Sequence, residues 1–146
     1  MALRSFGERV RQTLWFEIGG LVLVTPLYVL IFGGSGPASL ALTTTIMIAA
    51  MLCSPIYNTL FDWADLRLTG RLASDRPQRL RLFHAALHEI ALMAATVPIL
   101  IFMGGHGFWQ AILVDFGFSL FYATYAYGFH LIYDLARPVR PNRARA

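Results

Sequence analysis

The chain of 146 residues has no lysine, one cysteine and few charged side chains of any kind. Charged residues make up 14%, against roughly a quarter in an ordinary soluble domain. That deficit excludes a typical water-soluble enzyme. The lone Cys53 lies inside an apolar run, so it offers neither a disulfide nor a pair of metal ligands. No glycine-rich loop leads into a phosphate-binding lysine, and no polar stretch is long enough to hold a nucleotide. Work done by such a chain has to draw on a gradient. No cofactor and no metal is expected, and catalysis of a covalent reaction is not.

Apolar residues are what the chain has. They form 57% of it, with a mean hydropathy of +0.57. Four runs, Leu14–Phe32, Ala38–Phe61, Phe83–Met103 and Phe108–Tyr133, each suffice to cross about 30 Å of hydrocarbon, which takes about 20 helical residues. The runs are continuous rather than alternating, and a helix satisfies its own backbone in lipid. The expected fold is an all-α integral membrane protein of four transmembrane helices. A cleavable signal peptide is the rival reading of the first run, since Arg4, Arg9 and Arg11 precede it and Ala38-Ser39-Leu40-Ala41 follows. A glutamate inside the run, and a partner run later in the chain, argue against cleavage.

That partner is part of a duplication. Displaced by 72 residues without a gap, Arg9 falls on Arg81, Glu17 on Glu89, Ile18 on Ile90, Pro26 on Pro98, Gly33 on Gly105 and Asp62 on Asp134. Residues 1–72 and 73–146 therefore read as two helix pairs of like fold. Two spans per half return the chain to its starting side, so the hairpins repeat in parallel, related by a pseudo-two-fold axis along the membrane normal.

Glycine-rich loops at 33–37 and 104–107 close the two hairpins, and a polar segment from Asp65 to Arg81 joins the halves. The arginines fall before the first run, in that middle segment and in the tail, with none in the glycine loops. By the positive-inside rule both termini and the central loop are cytoplasmic. The net charge of +4 thus reports topology, and no nucleic-acid partner is expected. Trp15 and Trp63 read as interfacial anchors on the cytoplasmic side and Trp109 on the other.

Glu17 and Glu89 recur at one helical depth. Glu17 stands about 9 Å beyond the interfacial Arg11 at ~1.5 Å per residue, in the cytoplasmic half of the membrane. Ionisable groups inside spans are costly and point to function, here the binding of protons and cations. A carboxyl in apolar surroundings is pushed toward its neutral form, and an arriving cation pushes it back. Proton and cation then compete for one group, which is the minimum machinery of proton-coupled cation export. The bland reading is a neutral carboxylic acid hydrogen-bonded to a neighbouring helix.

Asp62 and Asp134 sit at the C-terminal ends of their helices, where the dipole disfavours a carboxylate. Arg9 and Arg81 lie on the same membrane face and are their expected ion-pair partners, a structural set. Asn58 and His130, four residues earlier, share the stripe of those aspartates and can hydrogen-bond them. The fourth run is rich in aromatics. Phe118, Tyr122, Tyr125 and Phe129 draw one stripe along it, packing surface on the plain reading and a cation-π wall on the functional one. Asp115 has Thr43 as its counterpart and stands near the outer face. Asp115, Tyr122 and Tyr125 are the candidate exit or auxiliary positions.

The segments carrying Arg9, Phe16-Glu17 and Pro26, then Tyr57-Asn58 and Phe61-Asp62, then Arg81, His84-Ala85, Glu89 and Pro98, then Tyr127, Phe129, Tyr133-Asp134 and Arg137-Pro138 resemble the motifs of the proteobacterial antimicrobial compound efflux family. That resemblance covers nearly the whole chain. It implies a duplicated transmembrane pair in the bacterial inner membrane, exporting cationic biocides and dyes such as chlorhexidine, acriflavine and quaternary ammonium compounds against protons. Short-chain diamines are the implied native substrates, and the glutamate of the first helix, Glu17 here, the implied functional carboxylate. The chain departs from the motifs at Gln12 (usually His), Cys53-Ser54 (usually Trp-Asn), His88 (usually Phe) and His130 (usually Asn), while every carboxylate is intact.

Expected partners are small cationic substrates, protons and membrane lipid. Four helices enclose little volume, which favours a homodimer. Two other readings compete. His84, His88 and His130 on the third and fourth helices could ligate haem in a four-helix bundle. A structural or assembly protein is the other alternative. The layout of small multidrug resistance proteins, which pair antiparallel, fits less well because all the arginines fall on one side.

Overall fold

Each apolar run folds as a helix. In the computed structural model, which describes residues 6–70 and 75–137, α1 (Phe6–Phe32), α2 (Gly36–Thr69), α3 (Gln78–Phe102) and α4 (Phe108–Ala136) follow one another. No strand occurs among the described residues. Residues Val10–Phe32, Gly36–Thr69 and Gln78–Phe102 are long and apolar enough to cross a membrane. At 29 residues, α4 is also long enough, and its tyrosines, Asp115 and His130 dilute its hydropathy. The outward faces suit lipid. Leu30, Phe102, Leu113 and Ile132 are 68–87% exposed, a surface water would not tolerate over such an extent.

The helix ends follow from local chemistry. Gly33, Gly70 and Gly105 all take positive φ, 75°, 69° and 68°, the left-handed conformation that closes a helix at low steric cost. Their amides donate to the carbonyls of Val29, Leu66 and Ile101. Ser35 begins α2, its hydroxyl accepting the Ala38 amide at 3.3 Å, with Pro37 in the first turn where a missing N–H costs nothing.

One boundary differs from the sequence reading. The polar segment expected from Asp65 is helical as far as Thr69, and α3 begins at Gln78, ahead of Arg79 and Arg81. Polarity ended the apolar run there, yet nothing breaks the helix before Gly70. Thr69 Oγ1 donates to the Asp65 carbonyl at 2.8 Å and reaches its carboxylate at 2.9 Å, which holds the last turn.

The helices group into two packing units. The first contains α1, the first residues of α2 and α4 from Phe116 onward; the second contains α2 from Ala41, α3 and α4 as far as Asp115. Each sequence half therefore supplies helix to both units. In the first, Val24, Tyr28 and Tyr133 are buried, and Tyr28 packs on Phe118 with ring centres 6.0 Å apart. In the second, the buried set includes Leu42, Ile46, Val97, Leu100, Ala111 and Val114.

Candidate functional site

In the first unit Phe16 of α1 lies against the aromatic stripe of α4. Its ring centre stands 5.0 Å from Tyr125, 5.4 Å from Phe129, 5.8 Å from His130 and 6.3 Å from Tyr122. Glycines make this approach possible. A β-carbon on Gly20 would stand 2.9 Å from the Tyr122 ring, and one on Gly19 would collide with the Tyr125 hydroxyl. Tyr125 Oη donates to the Phe16 carbonyl at 2.9 Å.

Glu17 follows Phe16 and is half-buried. Its carboxylate acts electrostatically on the Tyr122 and Tyr125 hydroxyls. An acid, two phenols and aromatic faces thus share one place. Such a set can hold a proton or a small organic cation, since ring faces attract cations and a carboxylate neutralises them. One turn nearer the N-terminus, Gln12 Nε2 and His130 Nδ1 are 3.0 Å apart, so Gln12 is a partner of His130 among the described residues.

The equivalent positions in the second unit are filled differently. Gly19, Gly20, Tyr122 and Tyr125 correspond under the 72-residue displacement to Ala91, Leu92, Ala50 and Cys53. Bulk has moved from one helix to the other, and no aromatic wall stands at these positions. Glu89 is half-buried and acts electrostatically on Asp115. Asp115 is only 4% exposed and takes a hydrogen bond from Thr96 Oγ1 at 2.5 Å. Thr96 lies seven residues, two helical turns, beyond Glu89 and so on the same face of α3.

Nearer the N-terminal end of α3, Tyr57 stacks on His84 with centres 5.3 Å apart and donates from Oη to the His84 carbonyl at 3.0 Å. His88 Nε2 lies 3.1 Å from Ser54 Oγ. Among the described residues, no group of three or more His, Cys, Asp or Glu side chains is arranged to hold a metal ion.

Two polar clasps hold the other helix ends, with opposite polarity. In the first unit the anion Glu8 on α1 receives Arg11, the Tyr133 hydroxyl at 2.8 Å and Arg137 at 3.7 Å. In the second the cation Arg76, ahead of α3, bridges Asp62 at 2.6 Å and Asp65 at 2.7 Å. Arg76 and Asp65 are buried while Asp62 is half-exposed. Hydrogen bonds to Asp65 first and Asp62 second hold the Arg76 pKa above the ordinary arginine value. The guanidinium also lies 5.0 Å over the Phe61 ring.

Sequence reasoning assigned Asp62 to Arg9 or Arg81 and overlooked Arg76 and Glu8. Arg81 donates from Nε to the Arg76 carbonyl at 3.1 Å, supporting the clasp from behind. The side chains of Arg9 and Asp134 lie outside the described residues. A signal for Glu8 existed in its being an acid just ahead of the first run, matched by Arg137 just past the last.

The sequence profile of the chlorhexidine efflux transporters matches twice, over residues 4–67 and again over 76–139. The chain belongs to the chlorhexidine efflux transporter family. The two matches restate the internal repeat, with its junction in the short linker between α2 and α3. The chain is also similar to two proteins named short-chain diamines transporter. That of Vibrio parahaemolyticus is 30% identical over 132 residues, covering 90% of this chain and 91% of the relative. That of Acinetobacter baylyi is 27% identical over 127 residues, covering 87% of each. No solved structure matches. Family and helices together make this a bacterial membrane efflux transporter of small compounds, and its relatives point away from an enzyme.

Proposed function

We propose that the protein exports small organic amines across the bacterial inner membrane in exchange for protons, with both termini cytoplasmic, and that Glu17 is the group for which proton and amine compete. One observation carries this reading: Glu17 is a half-buried acid inside a spanning helix, next in the chain to Phe16, whose ring packs on those of Tyr122 and Tyr125. With a proton on Glu17 the site keeps its ring faces but loses the negative charge that holds a cation. Once that proton leaves toward the cytoplasm, the carboxylate and ring faces attract an ammonium group. Release outside follows when a proton from that side takes the carboxylate back.

The substrate class is short-chain diamines, together with flat or bulky cations such as acriflavine, chlorhexidine and quaternary ammonium compounds. Similarity to the two diamine transporters supports the first, and membership of the chlorhexidine efflux transporter family supports chlorhexidine among the second. Glu89 is the duplicated counterpart, working with Asp115 as an auxiliary proton pair toward the far side of the membrane. Arg9 and Asp134 pair at the cytoplasmic surface, where Asp62 is held by Arg76 with Arg81 on the Arg76 carbonyl, and a second copy of the chain completes the assembly as a homodimer.

The test is Glu17→Gln, which keeps size and hydrogen bonding and removes titration. In proteoliposomes with an imposed proton gradient, this variant is expected to lose gradient-driven amine export while remaining folded. Export at the wild-type rate, still abolished by a protonophore, would move the coupling site elsewhere, with Glu89 and Asp115 next in line.

A further inference from the structure

Among the described residues, two buried side-chain polar atoms have no hydrogen-bond partner, His84 Nε2 and Tyr122 Oη. Tyr122 is the informative one. Its phenol reaches the backbone of α1 at Gly20, where a β-carbon would stand 3.1 Å from Oη, so glycine is what lets the hydroxyl in. Its neighbour Tyr125 is occupied with the Phe16 carbonyl. Leaving a buried hydroxyl unpaired is unfavourable, and at this position a phenylalanine would fill the same space without that burden. The hydroxyl stands in the electrostatic field of Glu17.

We propose that Tyr122 Oη accepts an N–H from a primary ammonium group held by Glu17, and so makes the site prefer primary amines to quaternary ammonium ions of equal length and charge. This rests on the reading of Glu17 as the amine site. A primary ammonium carries three N–H donors. Glu17 takes one or two, the faces of Phe16 and Tyr125 attract the charge but accept no strong hydrogen bond, and Tyr122 supplies the remaining acceptor. A quaternary ion satisfies the carboxylate and the rings equally well and leaves the Tyr122 hydroxyl unpaired. Sites that hydrogen-bond an N–H reject the analogue lacking it more strongly than apolar pockets reject a change in size.

A matched pair of ligands isolates the effect. Binding of 1,5-diaminopentane and of pentamethonium, its fully methylated analogue, is measured by calorimetry on the full chain in detergent, for wild type, Tyr122→Phe and Glu17→Gln. Tyr122→Phe is expected to weaken 1,5-diaminopentane about tenfold, the scale of one hydrogen bond to a charged group, and to change pentamethonium less than about twofold. Equal loss of both ligands, or no loss of 1,5-diaminopentane, overturns the proposal. Glu17→Gln is expected to weaken both; if it weakens neither, the underlying reading of Glu17 fails, whatever Tyr122→Phe does. Wild type binding neither ligand overturns both. A variant-free arm uses wild type with progressively N-methylated diaminopentanes: affinity is expected to fall as N–H groups are removed, and a flat or rising series overturns the proposal even if Tyr122→Phe does not fold.

Discussion

The hydroxyl of Tyr125 donates to the main-chain carbonyl of Phe16, one residue before Glu17. A helix carbonyl already engaged within its own helix takes a second donor here, which fixes the rotation and depth of α1 against α4 at the point where the acid projects. The second unit repeats the device with other residues, Tyr57 donating to the His84 carbonyl.

Tyr125→Phe is expected to keep the ring packing against Phe16 and lose the clip. Stability should fall by about 0.5–1.5 kcal/mol, the net worth of one such bond, and amine affinity should fall with it as Glu17 loses its fixed position. Thermal unfolding in detergent, followed by circular dichroism, reads the first effect. Unchanged stability would mean the bond contributes nothing.

Arg76 neutralises two carboxylates at once. Arg76→Ala leaves Asp65 buried without its cation, and a drop of several degrees in the unfolding midpoint is expected; Arg76→Lys should recover only part, because an ammonium cannot serve two separated carboxylates as a guanidinium fork does. The sign of the pH effect follows from the raised pKa. A cation with a folded pKa above its unfolded one stabilises fully below the unfolded value and loses that contribution only as pH rises through the folded one. Across neutral and mildly alkaline pH the Arg76 contribution should therefore be flat. Midpoints of wild type and Arg76→Ala that converge on raising the pH from neutral to 9 would contradict it.

Thr96 Oγ1 lies within bonding distance of both the Leu92 carbonyl and the Asp115 carboxyl, yet its hydroxyl has one hydrogen to donate. Asp115→Asn supplies an amide donor toward Thr96 and should leave the fold intact, so any loss of export in that variant reports on proton handling. Thr96→Val removes the group Asp115 leans on, and should destabilise by about 1–3 kcal/mol. Comparable stability in Thr96→Val and wild type would remove Thr96 as the support.

Topology is checked at two glycines. Gly36 and Gly107 have open space where a β-carbon would be added and no left-handed backbone, so Gly36→Cys and Gly107→Cys on a Cys53→Ser background should be tolerated. Both are expected to react with a membrane-impermeant maleimide from the periplasmic side only. Labelling from opposite sides would refute the parallel repeat.

The four helices were legible because lipid imposes one rule on every residue of a span. Length and continuity of the runs fixed them, and a gapless displacement exposed the pairing of Glu17 with Glu89. The stripe of 118, 122, 125 and 129 was legible from helical spacing, though its target, Phe16, was not, since periodicity names a face and never what covers it. The clasps escaped for a different reason. Glu8 aligns with Leu80 and so breaks the repeat, whereas Arg76 aligns with Arg4 and keeps it; a matched position names neither residue's partner. The helical turns from Asp65 to Thr69 were missed because polar composition resembles a loop when the supporting cation lies eleven residues away.

The exchange of bulk between equivalent positions limits how far this chain could return to its ancestry. A single-copy ancestor assembling from identical halves would need one residue set to serve both packing units. Residues 1–72 alone would set Gly19 and Gly20 against Cys53 and Ala50, and residues 73–146 alone would set Leu92 and Ala91 against Tyr122 and Tyr125. The first arrangement leaves a void and the second overfills. Fusion of the two copies is therefore no longer a convenience of expression. It has become irreversible, because each half now carries the complement of the other's shape.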